Sequence, residues 1–259
     1  MILLIDAGNS IITIGLHNGQ KIIKTFTMET KKIKTKDEFA LYLISILNLN
    51  NIDKTSITGA SIASVVPSIN NALSEALDTY FNIKPILVEP GIKTGIKLKV
   101  DNPKEVGADL IADALAGHVK YKKNLLIINC GTATKYSVVT ENGEFIGVAI
   151  APGFQIGSEG LFKKTAQLPD VGLKMPKDPI GKNSVDSISS GLFYSYACSI
   201  KCYISLIKEH YGNDLIVILS GGVSRYFSEY LKKEIHYADF NLTLEGLKII
   251  YDKNRYEIT

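Results

Sequence analysis

Twice in this chain an apolar run ends in an acid or amide, a small residue, a glycine and a hydroxyl. The first copy is Leu3-Leu4-Ile5-Asp6-Ala7-Gly8-Asn9-Ser10, and the second is Leu126-Ile127-Ile128-Asn129-Cys130-Gly131-Thr132. Glycine lets a backbone approach phosphate oxygens closely, a carboxylate such as Asp6 holds Mg²⁺, usually through water, and hydroxyls add donors. Either copy alone reads equally as an ordinary hairpin turn. The repetition favours a grip on a polyphosphate and its metal ion from two strand ends. A third piece, Gly221-Gly222, follows the apolar run Leu215–Leu219. It would let a nucleobase or ribose lie against the backbone, or simply turn the chain from strand to helix. The fourth is Glu105-Val106-Gly107-Ala108-Asp109. Asp109 there is either a first-turn acid facing a helix dipole or a general base for a substrate hydroxyl, and the residues alone leave both readings open.

Other reactive side chains carry less. His17, His118, His210 and His236 have no ligand spacing and read as surface or cap residues. Cys198 and Cys202, at i and i+4 of a helical pattern, read as core packing rather than a metal site. Cys130 lies in the second turn, where a nucleophilic role would need a base that the sequence does not assign.

The elements that must position these groups follow from periodicity. Met1–Asp6 and Ile11–His17 read as a hairpin, with a further strand at Lys21–Thr27 after the Asn18-Gly19 turn. Lys36–Leu47 and Asn70–Phe81 have helical spacing, flanking a strand at Thr58–Val66 that Pro67 closes. Ile86–Val88 is a short strand, Gly91–Pro103 a loop and Glu105–Val119 a helix. The strand-turn-strand grammar then recurs at Asn124–Ile128, Tyr136–Thr140 and Glu144–Ile150. Ala151–Gly160 reads as a glycine-containing connection, with a short helix ending near Leu168-Pro169. A long helix over Ser187–Tyr211 precedes the strand Leu215–Leu219. These patterns predict an α/β protein of two similar halves, residues 1–120 and 121–259.

At 259 residues, 46% hydrophobic and 21% charged, the chain has the composition of a soluble globular protein with room for a substantial core. A net charge of +3 with scattered lysine pairs excludes a nucleic-acid footprint as the leading expectation. Three cysteines give no disulfide framework, and no apolar run approaches the roughly 20 residues a membrane span needs. No signal peptide is read, so a cytoplasmic protein without membrane association is expected.

Taken in order, these pieces resemble the type III pantothenate kinases. The likeness rests on Asp6–Ser10, Ser64-Val65-Val66-Pro67, Asp101–Asp109 and Gly131-Thr132-Ala133-Thr134. It continues through Pro152-Gly153, Thr165-Ala166-Gln167-Leu168-Pro169, Gly181-Lys182-Asn183-Ser184, Ser190-Gly191 and Ser220-Gly221-Gly222. The resemblance implies two duplicated ribonuclease-H-like halves of the actin-like ATPase type around a central cleft. It also implies ATP-dependent phosphorylation of pantothenate to 4′-phosphopantothenate, the first step of coenzyme A synthesis. By the same likeness Asp6, Ala7, Gly8, Asn9, Ser10, Ile11, Ile12 and Thr13 form the first phosphate-binding turn, with Asp6 positioning Mg²⁺. Thr132 is the second phosphate contact, and Gly221 and Gly222 complete the nucleotide site. Gly107, Ala108 and Asp109 match the pantothenate-binding segment, with Asp109 as the base, and Val100, Leu110 and Ser184 stand at further positions of that pocket. A homodimer and a monovalent cation, K⁺ or NH₄⁺, beside Asn129 are implied as well. No Walker-type lysine loop is present, in keeping with a kinase outside the P-loop class.

The chain departs from the family where the family carries polar groups. Leu110 stands in place of an arginine, Val100 of a tyrosine, Asn129 of an aspartate and Ser184 of a threonine. Leucine cannot replace the forked donors of a guanidinium. The alternative expectation is therefore a nucleotide-binding regulator of the same fold with weak or lost kinase activity.

Overall fold

The computed structural model describes residues 1–164, 169 and 171–257. In chain order the elements are β1 (Ile2–Ala7), β2 (Ile11–His17), β3 (Ile22–Glu29), α1 (Lys36–Leu49), β4 (Gly59–Ser64), α2 (Pro67–Phe81), β5 (Ile86–Leu87), β6 (Lys97–Leu98) and α3 (Ala108–Tyr121). There follow β7 (Leu125–Cys130), β8 (Ala133–Val139), β9 (Glu144–Pro152), α4 (Phe154–Lys164), α5 (Ser184–Tyr211), β10 (Ile216–Ser220), β11 (Tyr237–Ala238) and α6 (Leu242–Asn254).

The chain divides into two compact units. Unit 1 comprises Met1–Ile96, Asp101–Ala116 and Thr243–Thr259, and unit 2 comprises Lys97–Val100 and Gly117–Leu242. A division into residues 1–120 and 121–259 therefore differs from the packing at both ends. The last helix belongs with the first sheet, and the β6 segment belongs with the second.

Unit 1 is built on a sheet of order β3-β2-β1-β4-β5. β1 runs antiparallel to β2 and parallel to β4. β1 is apolar at successive positions because both of its faces are covered. Leu3 and Ile5 pack with Phe39, Leu43, Leu73 and Leu77 of α1 and α2. Leu4, on the opposite face, packs with Ala112 of α3 and Leu244, Leu247 and Ile250 of α6. A Cβ on Gly246 would lie 2.0 Å from the carbonyl oxygen of Ala112, so α3 and α6 touch backbone to backbone. Thr243 donates to the buried Asp113 carboxylate at 2.6 Å beside that contact. The start of α1 is fixed by a reciprocal cap between Thr35 and Glu38.

Unit 2 repeats the plan. Its sheet has the order β11-β10-β7-β8-β9-β6, with β7 antiparallel to β8 and parallel to β10. Matching β7 to β1, β8 to β2, β9 to β3, β10 to β4 and β11 to β5 reproduces the first sheet, and β6 is an added edge. Leu126 and Ile128 pack with Phe193, Ala197 and Ile200 of α5 and with Phe227.

Several elements differ from the sequence expectation. Two residues of the Gly91–Pro103 loop form β6, too short for any alternation to show, opposite Glu144 and Phe145 of β9. α3 begins at Ala108 rather than Glu105, because Pro103–Glu105 closes a separate 3₁₀ turn capped by Asn102. The supposed connection at Ala151–Gly160 is the end of β9 and most of α4. Phe154 anchors that helix against Tyr196 and Phe227, which outweighs its glycines. α5 starts at Ser184 because the Asn183 side chain accepts from the Asp186 N–H at 2.9 Å. Cys198 and Cys202 are exposed on α5, not core residues. His17 is buried, accepting the Gly19 N–H on Nδ1, and so caps the β2–β3 turn. The Thr165–Leu168 stretch, including the expected end of the short helix, lies outside the described residues.

Candidate active site

In unit 1 the chemistry-bearing residues gather at the ends of β1 and β4. Asp6 is the next-to-last residue of β1, half-buried, opposite Thr13 on β2 and Ala63 on β4. Beyond it the Gly8 N–H donates to Ile11 O at 3.1 Å, closing a tight turn. Ala7 and Ile12 are fully buried, so they offer a ligand only main-chain groups. Asn9 and Ile11 are exposed, and Ser10 and Thr13 are half-buried.

The same end of the sheet carries Asp109. The N–H of Val65, just past β4, donates to Ala7 O at 3.1 Å. A Cβ on Gly107 would lie 3.5 Å from Val65 Cγ1 and only 2.7 Å from Asp109 Oδ1, so any side chain here would push the Asp109 carboxylate aside. Ala7, Val65, Gly107 and Asp109 thus form one connected patch linking the first turn to the mouth of α3. Asp109 is 8% exposed, and its Oδ1 accepts the Leu110 N–H at 2.9 Å. It is both a first-turn acid and a carboxylate at the rim of the patch. Ala108 and Leu110 are buried beside it.

In unit 2 Asn129 occupies the place of Asp6, opposite Lys135 on β8 and Ser220 on β10. The Gly131 N–H donates to Ala133 O at 3.1 Å, as Gly8 does to Ile11. Thr132 is braced by Gly153, whose N–H donates to Thr132 O at 3.0 Å. Gly221 (φ +89°) closes over the same strand end: a Cβ there would lie 2.5 Å from Cys130 O and 2.7 Å from Asn129 Oδ1. The fold therefore brings Asn129, Thr132 and Gly221 together, with Gly222 following in the chain.

Val100 and Ser184 lie elsewhere in unit 2. Val100 follows the edge strand β6, and β9 and β8 intervene before β7. Strand spacing alone puts β6 about 14 Å from β7. Ser184 is exposed at the first turn of α5.

Cys130 cannot serve as a nucleophile. Its thiol is fully buried, and burial pushes its pKa up to about 11 although the Tyr196 hydroxyl acts the other way. The protonated thiol is not the reactive form.

Residues not singled out from sequence also shape the site. Thr30, past the end of β3, bonds to two carbonyls of the first turn, and a lone hydroxyl at a strand end carries no distinguishing pattern. Arg225 lies in the 3₁₀ turn after Gly221, with its guanidinium 4.2 Å from the Phe240 ring centroid. Together with Lys120, Tyr121, Tyr237 and Asn241 they line an open cavity of about 550 Å³ within unit 2.

The donor set restricts what metal can bind. Among the described residues no group of three or more His, Cys, Asp and Glu side chains could form a cage. One carboxylate at Asp6 fits Mg²⁺, which keeps several waters and takes its other oxygens from phosphate. Asn129 offers a neutral amide oxygen. No helix among the described residues is long and apolar enough to cross a membrane.

The doubled sheet with a turn beyond each leading strand defines the actin-like ATPase and sugar-kinase fold class. Solved structures agree. A Campylobacter jejuni protein described as a "conserved putative Baf family transcriptional activator" matches with a TM-score of 0.59 at 19% identity, covering 98% of this chain and 99% of that one. A "putative N-acetylglucosamine kinase" of Porphyromonas gingivalis gives 0.54 at 15%, over 98% and 100%. Component A of the (R)-2-hydroxyglutaryl-CoA dehydratase of Acidaminococcus fermentans gives 0.52 at 11%, over 100% and 99%. At such identities the likeness is one of fold alone. The profile of the type III pantothenate kinases matches residues 2–206, and the chain belongs to that family.

Proposed function

We propose that this chain transfers the γ-phosphoryl group of ATP to the primary alcohol of pantothenate. The observation that carries the reading is the continuous patch in unit 1 from the Asp6 turn through Val65 to Gly107 and Asp109. Phosphoryl transfer asks mainly for positioning and charge neutralisation, so amides, a metal-holding carboxylate and one base suffice. Asp6 would hold Mg²⁺, which when bound neutralises phosphate charge. The main chain from Ala7 to Thr13 would orient the phosphates, and Thr132 would add a contact from the second turn. Gly221 and Gly222 would admit the nucleoside, with the cavity beside Arg225 and Phe240 large enough for its base. Asp109 would take the proton of the acceptor alcohol, and Gly107, Ala108 and Leu110 would line the acceptor pocket beside it. The amide of Asn129 would bind K⁺ or NH₄⁺ only weakly, and a homodimer in the cytoplasm is the expected working form.

The test is ADP formation dependent on pantothenate, with and without K⁺, for the wild type and for Asp109→Asn. Removing the base should lower kcat about 10²–10⁴-fold, with nucleotide binding retained. Turnover that needs no monovalent cation is the expected wild-type behaviour. Folded wild-type protein without turnover would overturn the kinase reading.

A second reading has its own support. Leu110 is buried at 5% exposure and presents no charged fork, Asn129 carries no charge, and the Campylobacter jejuni protein of the same fold is described as a putative transcriptional activator. A nucleotide-binding regulator would bind Mg·ATP yet show equal, negligible turnover in the wild type and Asp109→Asn.

A further inference from the structure

Thr30 stands one residue past β3, where the register places it opposite Ser10. It is 3% exposed. Its N–H donates to Ser10 O at 3.0 Å, and its hydroxyl donates to Gly8 O at 2.6 Å. Two carbonyls of the first turn therefore point back toward one residue, Ser10 O to its main-chain N–H and Gly8 O to its hydroxyl. In a planar trans peptide the next N–H points the opposite way. The N–H groups of Asn9 and Ile11 are thereby aimed at the side of the turn remote from Thr30.

Unit 2 provides an internal control. Ala133 faces Pro152 as Ile11 faces Glu29, so Gly153 is the counterpart of Thr30. The main-chain bond is kept, Gly153 N–H to Thr132 O at 3.0 Å. The hydroxyl bond is not: a Cβ there would lie 2.3 Å from both Gly131 O and Thr132 O. In the first turn the Thr30 hydroxyl holds the leading peptide, and at the matching place of the second turn stands a glycine with no room for a side chain.

We infer that Thr30 is a positioning residue of the phosphate-binding turn, its hydroxyl fixing the Gly8–Asn9 peptide so that the Asn9 N–H faces the nucleotide phosphates. The inference rests on the ATP-binding role proposed for that turn. Thr30→Val removes the donor at nearly constant volume, and Thr30→Ser keeps it. Calorimetric affinity for Mg·ATP and separate KM values for ATP and pantothenate are the readouts. Thr30→Val should lose about tenfold in Mg·ATP affinity, the scale of one hydrogen bond. Its KM for pantothenate should stay put, and Thr30→Ser should behave as wild type. A Val variant that binds Mg·ATP as wild type does, or whose two KM values rise in step, overturns the assignment. Should the Val variant not fold, Thr30→Ala is read by the same criteria. Wild-type protein that binds Mg·ATP but phosphorylates no pantothenate overturns the functional reading alone, and the calorimetric comparison still decides Thr30. Wild-type protein that binds no Mg·ATP overturns both.

Discussion

The two turns of the duplicated sheet are the same device built to different widths. Aligned from the leading strands, Asp6, Ala7 and Gly8 match Asn129, Cys130 and Gly131. Aligned from the returning strands, Ser10 and Ile11 match Thr132 and Ala133, which leaves Asn9 as the one added residue. The wider turn leaves room behind it for a threonine, whereas the narrower one is backed by a glycine that no side chain could replace. Charge divides the same way: unit 1 holds the carboxylates Asp6 and Asp109, and the matching position in unit 2 is an amide. The hydrogen-bonded frame is common to both copies, while the carboxylates lie in one of them.

Exchanging the charges between the copies is the severest trial of that division. Asp6→Asn should cut kcat/KM at least about a hundredfold, since metal-assisted charge stabilisation is worth several kcal/mol. The reverse change, Asn129→Asp, should leave that rate nearly intact and make turnover respond to K⁺. Equal damage from both would mean the copies share the metal work. Backing residues come next. Gly153→Ala forces a methyl against two carbonyls, and overpacking of this kind costs about 1–3 kcal/mol, readable as a lower urea midpoint.

The smallest effect concerns Cys130, the counterpart of Ala7. Its thiol titrates at about 11 in the folded chain against an ordinary 9.0. The folded state therefore keeps a proton that the unfolded chain gives up. The linked stability is fully present below the unfolded value and is lost as pH rises toward the folded one. Urea midpoints at about pH 8 and about pH 10.5 should fall further for wild type than for Cys130→Ala. Identical falls would remove the thiol from consideration.

Much of this could be read from residues in sequence because the decisive signals are local. Asp6–Ser10 and Asn129–Thr132 interrupt apolar runs with turn chemistry, and the strands around them follow. What escaped is long-range. Phe154 makes α4 a helix through partners on α5 and at Phe227, which no window around Ala151–Gly160 contains. Thr30 acquires its role only when β3 pairs with β2. The place of α6 in unit 1 depends on Gly246 meeting Ala112, far apart in the chain.

That last contact has a consequence for biosynthesis. Leu4, Ala63 and Ala112 share a core with Leu244, Leu247 and Ile250, so one face of the first sheet is finished only by α6, which follows unit 2 in the chain. While the ribosome is still translating, that face is left without its cover. Unit 2, continuous from Gly117 to Leu242 apart from the β6 segment, has almost all of its sequence sooner. A premature stop before α6 would leave a greasy surface open to chaperones and proteases, even though every residue of the Asp6 turn had already been made.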